Sequence, residues 1–155
     1  TPDLDVSQLP AELLTVTPAS ATTGQLVNLS TRAQVGSGEG TLIPGFVLSG
    51  LTSRRVLVRA VGPGLTAFGV TGVLADPTIT VMRGSTPLAT NDNWPSQTNS
   101  AAVATAAVEA GAFALAAGSK DSALVLTLDP GAYTFLVSGV GGTTGTVLVE
   151  VYLLP

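Results

Sequence analysis

Apolar and polar residues alternate with a period of two along most of this chain, in short runs separated by clusters of Gly, Pro, Asn and Asp. Successive side chains of a strand point to opposite faces, so this pattern is that of β-strands joined by turns. The runs predict strands at 26–35, 41–49, 54–61, 78–82, 122–128, 132–138 and 146–153. In the last run Val147, Val149, Val151 and Leu153 share one face, while Leu148, Glu150, Tyr152 and Leu154 share the other. Both faces are mostly apolar, which calls for a strand covered on both sides. Tyr133, Phe135 and Val137 form an inward row, and Asp129-Pro130-Gly131 supplies a tight turn that makes 122–138 a hairpin.

Two stretches depart from the pattern. Asn99 and Ser100 precede AAVATAAVEAGA, which predicts a short capped helix ending near Gly111. Residues 62–77 read GPGLTAFGVTGVLADP, a packed loop with a helical turn. The expected fold is all-β, a jelly-roll-like β-sandwich with one short helix and an N-terminal extension strand. Residues 1–25 form an arm and linker, and residues 26–155 the sandwich domain. The arm carries Leu4, Val6, Leu9, Leu13, Leu14 and Val16 ahead of a Pro, Ala, Ser, Thr and Gly tether at 18–24, and these six residues are the expected subunit interface. Docked on a neighbouring sheet edge, the arm acts as a donor strand; the alternative is packing on its own domain.

Charge limits function. Only 10% of the 155 residues are charged, against roughly 25% in an ordinary domain, so the outer face is largely Thr, Ser, Ala and Gly. Such a face repels copies of itself weakly and favours association. Six Lys and Arg in all, within a net charge of -4, exclude a nucleic-acid partner, which needs clustered cations. No uninterrupted apolar run approaches the roughly 20 residues that span a bilayer. With no His and no Cys there is no disulfide, no thiolate metal site and no Ser-His or Cys-His nucleophile, and the ten acids are scattered. The chain is therefore not expected to be an enzyme, and no organic cofactor is expected. The sequence begins at Thr1 without an initiator Met, from which the expectation is an exported protein, extracellular or on the cell surface, with its signal peptide removed.

The segments LVNLSTRAQVGSGEGTLIPGFVLSG, RRVLVRAVGPGLTAFGVTGVLADPTITV, ATNDNW and LDPGAYTFLVSGVGGTTGTVLVEVY resemble a β-sandwich module found at the ends of large secreted or surface proteins of environmental bacteria. From Asp76 onward the chain is also similar to the bacterial pre-peptidase C-terminal domain. The resemblance implies export, a non-catalytic accessory role and a β-rich fold. It implies no ligand. The apolar arm before Leu26 and the charge-poor stretch from TPLATNDNW to GAFALAAGSKDSA are not accounted for by it.

Four groups of residues are candidates for binding. Asn91, Asp92 and Asn93, joined by Asp76 or Asp121, offer oxygen ligands to calcium; the same Asn and Asp residues also begin turns through their own side chains. Arg54, Arg55 and Arg59 are half of the positive charge and face either acidic glycans, a neighbouring subunit's acids, or loop carbonyls with their stems packed. Trp94, Tyr133 and Tyr152 are candidates for a platform that stacks cell-surface glycans, although Tyr133 belongs to the inward row. The glycines at 36–40 and 139–145 lack the strand-loop-helix setting of a phosphate loop and are read as turns. The expected function is a structural subunit of an extracellular filament or surface assembly that polymerises with itself; the alternative is a calcium- or glycan-binding accessory module of a larger secreted protein.

Overall fold

The computed structural model describes residues 26–96 and 100–155. Its strands are β1 (Asn28–Val35), β2 (Gly45–Leu48), β3 (Arg54–Val61), β4 (Pro77–Arg83), β5 (Thr86–Asn91), β6 (Ser122–Leu128), β7 (Gly131–Gly139) and β8 (Gly145–Leu153). The first half of this series pairs with the second, antiparallel throughout: β1 with β8, β2 with β7, β3 with β6 and β4 with β5. Pairing of β8 with β3 and of β7 with β4 then rolls the ribbon into two sheets, ordered β1-β8-β3-β6 and β2-β7-β4-β5. This is the jelly-roll arrangement of a β-sandwich. The extension strand expected before residue 26 lies outside the described residues.

Every strand expected from the alternation is present, and one more joins them. β5 was hidden by Pro87 and by its closing Asn91; it is an edge strand, where a missing N–H is tolerated, and its pairing with β4 shifts register between Val81 and Met82. β2 is shorter than the run at 41–49. Pro44 interrupts it, leaving Leu42 as an isolated bridge to Val137.

The hairpin expected over 122–138 is not formed. β6 lies in one sheet and β7 in the other, so Asp129-Pro130-Gly131 arches between the layers. Leu124 and Leu128 thereby meet Tyr133 and Phe135 across the inter-sheet core instead of beside them on one face. Alternation is the same in either geometry, and the long-range pairing of β6 with β3 decides between them.

A second core lies on the outer face of the β1-β8-β3-β6 sheet. Leu57, Ala123, Tyr152 and Leu154 are covered there by Trp94 and by Val103, Ala106 and Ala107 of the helix α1 (Ser100–Glu109). The two apolar faces of β8 and the unbroken buried run from Val56 to Val61 in β3 follow from this double cover. The helix ends where Gly111 adopts a φ of +68°, with Gly111 N–H bonded to Val108 O and Ala112 N–H to Ala107 O, a Schellman cap. The 62–76 loop enters with a 3-10 turn at Pro63–Phe68 and drops Leu74 into the inter-sheet core. A Cβ on Gly62 would overlap the Leu74 carbonyl, so that crossing requires glycine.

Candidate functional site

The two lateral sides of the sandwich differ. On the β5–β6 side the Asn91 side-chain oxygen accepts the Ala123 N–H (3.0 Å), the Ser122 hydroxyl donates to Asn91 O (2.6 Å), and Trp94 N–H bonds to Asp121 O (2.9 Å). That side is laced shut. On the β1–β2 side the sheets part over an apolar groove of ≈ 100 Å³, walled by Leu26, Val27, Leu29, Phe46, Val47 and Leu48 and floored by Val56, Val151 and Leu153. Leu26 and Val47 are each 72% exposed, a degree that puts large aliphatic surface in water along one strip.

A strand edge with no partner among the described residues borders this groove. Leu153 N–H bonds to Val27 O, and in an antiparallel ladder such pairs alternate, so Val27, Leu29, Thr31 and Ala33 turn their peptide groups to β8. The peptide groups of Asn28, Ser30, Arg32 and Gln34 face the open side. Side-chain alternation sends Leu29 toward the groove and Val35 into the core, with Asn28, Ser30, Arg32 and Gln34 on the outer face. The other three sheet edges are blunted. β2 has four residues and follows Pro44, β5 contains Pro87 and a register shift, and β6 packs against α1 and β5. β1 runs eight residues with no Pro or Gly and a single charge, Arg32.

The buried polar groups are engaged in holding the fold. Arg59, fully buried, donates from Nε to Glu150 Oε2 (2.8 Å) and from Nη1 to Phe113 O (2.6 Å), and its guanidinium lies 4.3 Å from the Phe113 ring centre. Its Nη2 is also 2.8 Å from Glu150 Oε2, an ion-pair contact too poorly aligned to count as a hydrogen bond. Tyr152 donates to Glu150 Oε1 (2.7 Å); burial first, then that hydrogen bond and the Glu150 charge, push its hydroxyl up to about 12. Trp94 Nε1 donates to Ala116 O (3.2 Å). Arg59 and Trp94 thus strap the 110–120 segment onto the outer core. Asp121, also fully buried, accepts the N–H groups of Gly62 (2.8 Å) and Gly64 (3.1 Å) and the Ser119 hydroxyl.

Of the four residues expected to ligate calcium, the structure brings two together. Asp92 stands beside Asp76, and its carboxyl is raised above the usual range by partial burial first and the Asp76 charge second. Asp76 Oδ2 holds the Lys120 ammonium at 2.6 Å, while its Oδ1 is buried and receives no donor among the described residues. Asn91 points the other way, into the β5–β6 junction, and the Asn93 carbonyl accepts from Asn91 Nδ2 (3.3 Å) and Ser96 Oγ (2.7 Å) in a turn. Asp121 is committed to the 62–64 backbone. Among the described residues no group of three or more His, Cys, Asp or Glu is placed to hold a metal.

The aromatic platform does not form. Tyr133 is buried between the sheets, and Trp94 and Tyr152 are buried in the outer core, because all three are needed to fill apolar layers. Nor do the arginines make a patch: Arg55 pairs with Glu109 at 3.3 Å near the surface, while Arg59 is sealed below it. Leu4, Val6, Leu9, Leu13, Leu14 and Val16 lie outside the described residues. Sequence reasoning missed the β1–β2 groove, whose one legible sign was Pro44 cutting short the strand opposite β1. It also missed the exposed Phe68, set edge-on to Phe113 with ring centres 5.0 Å apart.

No family model matches this sequence, and no curated protein does. Among solved structures, the pre-peptidase C-terminal domain of collagenase from Bacillus anthracis aligns with a TM-score of 0.48 and 12% identity, over 81% of this chain and 89% of that chain. The chain is similar to that domain. No helix among the described residues is long and apolar enough to cross a membrane.

Proposed function

We propose that this chain is a non-catalytic structural subunit of an extracellular or cell-surface assembly, in which the apolar arm at residues 4–16 of one copy is received by the sandwich of the next. The observation that carries this reading is the apolar groove on the β1–β2 side of the sandwich, next to a strand edge that is unblunted among the described residues. Strand addition supplies main-chain hydrogen bonds for affinity and pockets for alternate side chains. A head-to-tail contact of this kind uses two different surfaces, so repetition without ring closure gives an open polymer. The low density of charge supports it, since little repulsion opposes contact between copies.

Deleting residues 1–17 is the direct test. The full chain is expected to give high-mass species by light scattering and filaments or layers by electron microscopy. The truncated chain is expected to keep its β circular dichroism and to run as a monomer. Polymers formed by the truncated chain would remove the arm from the contact.

A second reading, an accessory module of a larger secreted protein that binds calcium, is favoured by the buried Asp76 Oδ1, which stands beside Asp92 with no donor among the described residues. It predicts a monomer at every concentration and a rise in melting temperature on addition of millimolar calcium.

A further inference from the structure

We infer that the acceptor is the free edge of β1, and that the donated strand is residues 3–7 of a second copy, with Leu4 and Val6 in the groove and Asp3 and Asp5 on the outer face beside Arg32. This rests on the reading of the arm as connector and specifies its site. The edge follows from the four sheet margins: among the described residues, only β1 offers a long row of outward peptide groups, those of Asn28, Ser30, Arg32 and Gln34, with no Pro or Gly to break it. A strand laid there inherits the faces of β1. Its inward side chains meet Leu29, Val47 and Leu26, and its outward ones lie beside exposed polar groups and one cation.

The arm contains one segment that matches both faces. Asp3-Leu4-Asp5-Val6-Ser7 alternates strictly, acid or hydroxyl on one side and aliphatic on the other, between Pro2 and Pro10. The segment at 11–17 fits less well, because adjacent Leu13 and Leu14 would turn one leucine onto the polar outer face. Charge agrees with pattern: the first 25 residues hold Asp3, Asp5 and Glu12 and no Lys or Arg, and Arg32 is the only charged residue of β1.

Three full-length variants test the assignment, read by sedimentation velocity with circular dichroism melts as the folding control. Ser30→Pro removes an N–H that faces the free edge and none that bonds to β8, so the domain is expected to stay folded and lose assembly. Arg32→Asp is expected to raise the concentration for half-assembly about fivefold, as like charges replace opposite ones across the strands. Adding Asp3→Lys and Asp5→Lys to Arg32→Asp is expected to restore it. If deletion of residues 1–17 abolishes assembly while Ser30→Pro and Arg32→Asp leave it intact, the edge is wrong although the arm remains the connector. If the deletion leaves assembly intact, the connector itself is wrong. Crosslinks that join residues 3–7 to β1 of the same molecule, in a full chain that stays monomeric, overturn the second copy as partner.

Discussion

At the scale of single residues, the outer core is organised around an ion pair that water does not reach. Arg59 and Glu150 face each other in the β3–β8 register, and Tyr152, two residues along the same face, donates its hydroxyl to the acid. Removing one member of such a pair strands a buried charge, which is why these residues are structural and not spare binding groups. Tyr152 gives the pair a pH signature. Its folded-state value of about 12 lies above the ordinary tyrosine value of 10.0, so the native state holds the proton more tightly than the unfolded chain does. The stabilisation is complete below pH 10 and is lost as the pH rises toward 12. Melting temperature is expected to fall across that window, and Tyr152→Phe, less stable at neutral pH, is expected to fall less. Parallel curves for the two proteins would show that Tyr152 does not titrate there. Part of this was legible in the sequence: Glu150 is a lone acid among Leu148, Tyr152 and Leu154, and Arg59 sits in a run of aliphatics. Their pairing was not, because it depends on β3 and β8 being neighbours although 91 residues separate the two side chains.

Among the elements, local signals carried the strands and the helix, and long-range pairing carried what local signals left undecided. Gly111 after an alanine-rich run marks a helix end by its own backbone freedom, whereas Asp129-Pro130-Gly131 serves equally for a hairpin and for an arch between sheets. Asn91 shows the same limit. In sequence it is one of three adjacent oxygen-bearing residues and invites a cation; in the fold it is the last residue of β5, and its amide fastens that edge to β6. Deleting buried side-chain hydrogen bonds of this kind costs about 1 to 3 kcal/mol. Asn91→Ala is expected to lower stability by that amount in denaturant titrations, equally in calcium and in chelator. A loss confined to the calcium-containing sample would make Asn91 a ligand and not a fastener.

For the molecule as a whole, charge is divided unevenly along the chain. Residues 1–25 carry three acids and no base, which leaves seven acids against six cations in the remainder, a sandwich close to neutral. Such a body lacks the repulsion that keeps ordinary domains apart, and its β1–β2 groove is apolar, so contact between copies there should depend on burial and main-chain hydrogen bonds more than on ion pairs. Salt distinguishes the two. Raising NaCl from 0.1 M to 1 M shortens the screening length from about 10 Å to about 3 Å, which removes the attraction between Arg32 and the arm's acids but leaves apolar burial intact. The assembled fraction of the full chain, measured by sedimentation, is expected to change by less than about twofold. Sodium sulfate, excluded from protein surfaces, is expected to increase it, and so is warming from the cold, because apolar burial weakens on cooling. Dispersal of the assembly by 1 M NaCl would mean that charge holds the copies together, which a nearly neutral sandwich with a single cation on its open edge is poorly built to do.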